Sequence, residues 1–451
     1  MTKHFTGDLA EFVADLEFAD LPSGVIEAAK LHILDTIACA VRGSDTEESK
    51  IATDFVKELG GNAESTLIMQ KFKTNSANAA FANGVMAHAI EMDDTHSQSI
   101  THPGAVTIPA ALALGEKMAI DGRTIITAIV SGYEIMTRIG MALGTSHYRY
   151  WHVTSTAGIF GSTATASKIL GLTSDEVVHA FGTAGTQSSG LWEFNFEGAM
   201  SRVLHVGKSA QEGIESALLA KKGFTGASTI LEGKKGLFNA TSKDYSLKRL
   251  TQDLGKTYEI SRTAFKAYAS CRHTHSPIYA ILNLKEKHGL DIEDAKKIIV
   301  KTYSIAADVA GEKNPTTSYK AKFSLPYCIA IALKEGAVGP EQFASEKICN
   351  KDTKRLLGKI EVVVDPEIDK LFPSKWASVV SIETVDNRIF EEAIDYPKGD
   401  PENPLSTLEI ERKFESLVHY TGNVSVKEVV DKILNLDKID DIKELMFLLS
   451  G

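Results

Sequence analysis

The sequence predicts a mainly α protein, with one large helical domain and a smaller α+β domain. Three observations predict it. Apolar residues recur at helical spacing almost throughout the first 265 residues; short β-branched runs begin only after about residue 290; and a helical pattern returns after a proline-rich loop at 396–404. A chain of 451 residues is too long for a single ordinary core, so two domains are expected. The boundaries fall at 1–265 for the first helical part, 266–400 for the α+β part, and 401–451 for a helical end that returns to the first domain.

Taken in order, Leu21-Pro22-Ser23-Gly24 leads into a helix from Val25 to Arg42, where Ile26, Ala29, Ile33, Ile37 and Ala40 share a face. Ser23 is the expected cap and Gly43 the expected stop. Asp35 lies inside that helix and is expected to meet a core donor. The segments Ile108 to Ala119 and Thr124 to Leu143 repeat the pattern. From Thr154 to Gly190 the chain is dense in Gly, Ala, Ser and Thr, which predicts a central, buried helix pair whose axes approach closely. Thr173-Ser174-Asp175-Glu176 matches a capping box and marks the second helix of that pair.

The β-branched runs are Ile298 to Tyr303, Ile360 to Val364 and Ser378 to Ile382, with Asp386-Asn387 placed to turn a hairpin toward Ile389-Phe390. Helical stretches at Leu325 to Glu335 and Phe343 to Gly358 intervene. The loop Tyr396 to Pro404 holds three prolines and one glycine and is expected to be a hinge or linker; Ser406 and Glu409 then form a second capping box. No internal repeat is present.

Composition narrows the function. The chain is 43% hydrophobic and 24% charged, with no biased tract. A net charge of −10 argues against a nucleic-acid partner, which needs a positive footprint. The start, Met1 to Asp8, lacks the basic and apolar parts of a signal peptide, and no uninterrupted apolar run reaches eighteen residues, so a cytoplasmic protein without a membrane span is expected. The four cysteines are far apart and form no C-x-x-C pair, which fits reduced thiols.

The densest polar stretch is Glu91-Met92-Asp93-Asp94-Thr95-His96, followed by Thr101-His102-Pro103-Gly104. Like charges this close require a cation, a donor or a proton, and Pro103-Gly104 sets the cluster at a helix end or in the loop beyond it. Three other stretches concentrate polar groups among apolar neighbours: His147-Tyr148-Arg149-Tyr150-Trp151-His152, Met200 to Lys208, and Phe265-Lys266 through Cys271-Arg272-His273-Thr274-His275-Ser276-Pro277. Together they supply cations for carboxylates (Arg202, Lys266, Arg272) and groups for proton transfer (His102, His152, Lys266, His275, Tyr148). Proton chemistry beside a carboxylate, without redox, is the expected use.

Other chemistries lack their patterns. Asp93, Asp94, His96, His102, His273 and His275 are metal-ligand types, yet there is no H-E-x-x-H and no paired Cys/His spacing, so no metal is expected. The glycines follow no strand and form neither G-x-G-x-x-G nor G-K-[ST], and no G-x-S-x-G elbow occurs.

At these residues the chain resembles the family of 2-methylcitrate dehydratase and cis-aconitate decarboxylase (MmgE/PrpD), which also includes an iminodisuccinate epimerase. The resemblance runs through Leu34-Asp35-Thr36, Phe81 to Val85, Asp93-Asp94-Thr95, Thr101 to Gly104, Ala166 to Leu172, Leu204 to Gly207, Phe265 to His275 and Tyr396 to Gly399. It implies a large helical domain built from both termini with a smaller α+β lid, in a cofactor-free homodimer acting on small di- or tricarboxylates. It also implies active-site positions at Thr95, His102, His152, Lys266 and Tyr327, with Asp93 or Glu91 in the acidic cluster and Tyr148 and Arg272 as matching residues. Arg202 stands where many members carry lysine, which keeps the charge and gives up a titratable amine. Cys271, Glu91 and the Asp93-Asp94-Thr95 motif also differ among branches of the family.

The expectation is therefore a lyase, a decarboxylase or a dehydratase, acting on a small polycarboxylate by general acid–base catalysis. His102, His152, Lys266, Tyr148 and Tyr327 would be its catalytic groups, and Glu91, Asp93, Thr95, Arg202, Arg272 and His275 its substrate-binding groups. An epimerase, which needs the same proton abstraction, and a non-catalytic carboxylate binder are the alternatives. The first requires these residues to meet in one positively charged pocket.

Overall fold

The computed structural model describes residues 4–419 and 424–451, and their contacts fall into two bodies. The first comprises the chain up to Ala89, Asp93–Thr263 and Ser406 onward; the second comprises Ile90–Met92 and Ala264–Leu405. Sequence periodicity does not separate Ile90–Met92 from its neighbours, because three residues carry no period of their own.

The first body is helical. Its core is built from Ser23–Gly43, Ser76–Ala89, Gly104–Met118, Gly122–Leu143, Gly158–Leu170 and Ser201–Lys221. Small residues bring these axes together, though not in the expected pair. Gly158–Leu170 packs most closely on Ser201–Lys221 and Gly122–Leu143, while Ser174–Gly185 leaves part of its surface open. A Cβ added at Gly213 would stand 1.9 Å from Ser162 Oγ, and that hydroxyl donates to the Ser209 carbonyl at 2.5 Å. Larger side chains at either place would push the helices apart.

Gly122–Leu143 is long and apolar enough to cross a membrane, but 94% of its most apolar window is buried in the body, as in a core helix. Glu134 and Arg138 form an ion pair on it at 2.8 Å, and Arg138 also donates to the carbonyls of Gln252 and Thr257.

Both capping boxes form, at Thr173/Glu176 and at Ser406/Glu409. Ser23 does not cap: it is the first helical residue, and Pro22 holds the cap position. The helix Thr407–Val418 lies against Ser23–Gly43, where Lys413 reaches Asp35 at 2.5 Å with both side chains buried. This is the donor expected for Asp35, and it ties the C-terminal segment to the first body. Between Lys221 and Thr263 the helical pattern gives way to turns and short helices around Gly223, Gly226, Gly233 and Gly236.

The second body holds a four-stranded sheet in the order Ile360–Val364, Ala295–Thr302, Ser378–Thr384, Ile389–Ile394. The first pair is parallel and the other two are antiparallel. Asn387 turns the expected hairpin with φ 64°. His275–His288 packs on this sheet, and Ser378–Thr384 alternates buried and half-buried residues beneath it. The expected helix over 343–358 is broken into Pro340–Phe343, Ser345–Ile348 and Lys351–Leu357, with Asn350 capping the last. All four cysteines are free thiols.

The loop at 396–404 is more than a linker. Gly399 donates to Asn403 and accepts from Phe265 N, both at 2.9 Å, and Asp400 is buried. Gly399 has φ +99°, and a Cβ there would stand 2.0 Å from the Phe265 carbonyl oxygen, so only glycine suits the position.

Candidate active site

The acidic stretch leaves the buried helix Ser76–Ala89 and runs as a loop to Gly104. Asp94 anchors that loop. Its carboxylate accepts from Tyr133 Oη at 2.5 Å and from Gly104 N at 3.0 Å, and it lies 3.1 Å from His32 Nδ1. Burial and the Asp94 carboxylate push the Tyr133 hydroxyl well above its usual range, so Tyr133 remains a donor. A Cβ on Gly104 would meet Thr36 Oγ1 at 2.5 Å, Tyr133 Oη at 2.8 Å and Asp94 Oδ1 at 3.0 Å, which explains the glycine after Pro103.

The main-chain carbonyl of the same Asp94 lies 2.7 Å from His102 Nδ1. A carbonyl can only accept, so the proton of neutral His102 sits on Nδ1 and the lone pair on Nε2. Thr95 Oγ1 is 3.2 Å from that Nδ1, and Asp93 Oδ2 is 3.7 Å away. Asp93 is gripped more closely by His88 Nδ1, at 2.6 Å, with both side chains fully buried.

Imidazoles gather around this point. The His88 ring centroid is 5.1 Å from that of His102 and 6.2 Å from that of His152. His152 Nδ1 is 3.3 Å from His205 Nδ1. Trp192 and Phe194 line His152 at 5.2 Å and 5.7 Å, and Tyr148 meets the Trp192 ring edge-on at 5.2 Å. Burial foremost, then His205, Arg202, His88 and His102, hold the His152 imidazole neutral, well below its usual range. Burial and Arg202 push His205 down to about 4. The first body therefore offers neutral imidazoles beside a buried arginine, a set suited to moving protons near an anion.

A second set lies within the second body. Lys266 is fully buried, with Nζ 3.8 Å from Glu91 Oε1. Glu91 holds φ 62°, a left-handed conformation uncommon for glutamate. Arg272 forms a buried ion pair through Nη2 with Asp400, and its guanidinium lies 5.7 Å from the Trp376 ring centroid. Among the described residues, its Nε and Nη1 are buried without a hydrogen-bond acceptor. His273 stacks on Trp376 at 4.5 Å and bonds Tyr303 Oη at 2.7 Å. Burial, Arg272 and Lys266 push its imidazole down to about 3.

The expected site residues thus divide. Asp93, Thr95, His102, Tyr148, His152 and Arg202 belong to the first body, while Glu91, Lys266, Arg272, His275 and Tyr327 belong to the second. Two of them are held locally. His275 Nε2 bonds the Ser270 carbonyl at 3.2 Å and its ring meets Tyr268 edge-on. Tyr327 Oη donates to the Gln342 carbonyl at 2.6 Å, and burial raises its hydroxyl above the usual range.

Sequence patterns missed His88, His205, Trp192, Phe194 and Asp400. A histidine inside an otherwise small and apolar helix was the available signal for His88, and its place beside Leu204 and Val206 the signal for His205. Asp400 was hidden among prolines.

Two domain models of one family match this chain in order. Residues 7–250 match the MmgE/PrpD N-terminal domain and residues 268–436 the MmgE/PrpD C-terminal domain. Among relatives, the cis-aconitate decarboxylase-like protein oryM of Aspergillus oryzae is 28% identical, over 99% of this chain and 97% of its own. The cis-aconitate decarboxylase of Aspergillus terreus is 28% identical over 99% and 96%. The 2-methylcitrate dehydratase of Escherichia coli is 23% identical over 87% and 85%. With both domain models matched in order over most of its length, this chain belongs to the MmgE/PrpD family.

Proposed function

We propose that this chain is a cofactor-free lyase that acts on a small di- or tricarboxylate, such as cis-aconitate or 2-methylcitrate, by general acid–base catalysis. The observation that carries the reading is the fixed tautomer of His102. Nδ1 is committed to the Asp94 carbonyl at 2.7 Å, so Nε2 is the basic atom, and neutral His152 belongs to the same imidazole cluster. In a dehydration or an epimerisation His102 takes the proton next to a substrate carboxylate through Nε2; in a decarboxylation no proton leaves carbon, and His152 gives one to the carbanion that CO2 leaves, with Tyr148 as a further donor. Arg202, Arg272 and Lys266 bind carboxylates and offset the charge that grows on an enediolate-like intermediate. The Asp94 carbonyl, with Thr95 beside it, orients His102, Asp93 holds His88, and Glu91 orients Lys266.

Both sets draw a residue from one short stretch of the chain. Glu91, the partner of Lys266, stands two places before Asp93, the partner of His88. Tyr327 and His275 are better read as supports, since Tyr327 Oη and His275 Nε2 each bond a main-chain carbonyl. The relatives named as cis-aconitate decarboxylases and as a 2-methylcitrate dehydratase both support a lyase, and the acid panel below separates the two reactions.

The test is incubation with cis-aconitate, 2-methylcitrate and a panel of related acids in D2O, followed by NMR, with and without a chelator. Loss of a carboxyl group or of water, with deuterium entering at a carbon next to a carboxylate and no effect of chelation, is expected. Exchange without net elimination would replace the lyase by an epimerase. An absence of both turnover and exchange across the panel would overturn the reading.

A further inference from the structure

His205 has no part in the scheme above. It lies one turn into the helix Ser201–Lys221, and its Nδ1 stands 3.3 Å from Nδ1 of His152. The two rings are 5.5 Å apart at 43°. Phe194 meets His205 edge-on at 5.3 Å, and Trp192 stacks on Phe194 at 5.1 Å, so the pair has aromatic walls. His152 is 2% exposed, whereas His205 is partly exposed, next to Leu204 at 44%.

Two Nδ1 atoms within hydrogen-bond distance must share one proton: one donates and the other accepts. The neutral pair therefore holds opposite tautomers. The ring that donates through Nδ1 has a bare Nε2, and the ring that accepts has Nε2–H. Burial and the neighbouring Arg202 disfavour a further proton on either ring. A proton that arrives at one Nε2 is thus best accommodated by passing one on across the Nδ1–Nδ1 bond and out at the other Nε2.

We propose that His205 is a proton relay that couples the buried His152 to solvent. The proposal rests on the lyase reading. In the donating direction, His205 accepts a proton from water at Nε2 and passes its Nδ1 proton to His152 Nδ1. His152 gives its Nε2 proton to the carbanion left when a carboxylate departs as CO2. The new C–H bond uses the electron pair of the broken C–C bond, and one proton has left solvent. Reverse passage or rotation of the rings restores the starting tautomers. His205 touches no reacting atom and acts only through His152.

The experiment compares His205→Asn and His205→Phe with the wild type. A fall in kcat of about tenfold to a hundredfold at unchanged KM is expected, with a larger solvent deuterium isotope effect and saturable recovery on adding imidazole. Wild-type kcat in both variants, or a loss that imidazole does not restore in a folded variant, would overturn the relay. Should both variants fail to fold, 15N spectra of histidine-labelled wild type decide without substrate. One protonated and one bare Nδ1 in the His152/His205 pair supports the relay, and any other pattern refutes it. That spectrum is independent of turnover, so failure of the lyase reading on the acid panel is distinguishable from failure of the relay.

Discussion

The Tyr133 hydroxyl offers the most informative single-atom change. It donates to Asp94 Oδ2 at 2.5 Å, and both residues are fully buried. Asp94 in turn holds Gly104 N through its side chain and His102 Nδ1 through its main-chain carbonyl. Tyr133→Phe keeps the ring and removes only the donor. A hydrogen bond to a charged group contributes roughly 1.5–3 kcal/mol, and a buried carboxylate left short of a donor keeps its desolvation cost, so a stability loss of about 2–3 kcal/mol is expected. Gly104 and His32 still hold the carboxylate, so the fold survives while the carbonyl facing His102 loses part of its fixation. If about half of the lost energy reaches the His102 tautomer, kcat/KM falls roughly tenfold. Urea unfolding at pH 7 measures the first quantity and steady-state kinetics on the acid that proves to be turned over measures the second. Loss of stability with an unchanged kcat/KM would refute the link, leaving Asp94 as an anchor of the loop alone.

Further outcomes follow from other contacts. Lys413→Met strands Asp35 as an unpaired buried charge and is expected to cost about 3–5 kcal/mol, most of which the double variant Lys413→Met/Asp35→Leu recovers, as a double-mutant cycle in urea would show. His147 bonds Thr241 and Thr156 through its two ring nitrogens, and burial pushes its imidazole down from 6.5 to about 4. Its folded form binds protons less readily than the unfolded chain, so its contribution is present above pH 6.5 and is lost as pH falls through 4. Between pH 7 and pH 5 that loss is about 2 kcal/mol, and His147→Asn should flatten the measured stability–pH curve over that interval. Arg272→Lys keeps the charge but gives up the fork that pairs with Asp400 and lies over Trp376; KM is expected to rise about tenfold with kcat little changed, and a fall in kcat at constant KM would move Arg272 out of substrate binding.

What was legible in the sequence was whatever repeats or caps locally. The helices of the first body, the β-branched strands and both capping boxes follow from period and from Ser/Thr–Glu spacing. The break at Asn350 did not, because apolar residues on either side keep a helical rhythm through a residue that caps the next helix instead. Nor did the role of Pro397–Pro404: proline and glycine mark a turn equally well whether it is free or, as here, packed around a buried aspartate that pairs with Arg272. The chemical stretches stood out as dense polar groups, and the resemblance carried His102, His152 and Lys266. Long-range pairings were beyond reach. Nothing local in Asp94 says that its side chain will hold Tyr133 while its carbonyl sets the tautomer of His102, and nothing in His205 says that it will meet His152 across 53 positions.

In the proposed reaction His102 acts as a base through Nε2 wherever a proton leaves carbon. The direct measurement is the rate at which His102→Gln, against wild type, incorporates solvent deuterium at the carbon next to the substrate carboxylate, with substrate affinity measured in parallel. A fall of roughly a hundredfold or more in deuterium incorporation, with affinity little changed, is expected. Incorporation at the wild-type rate in the folded variant would contradict it.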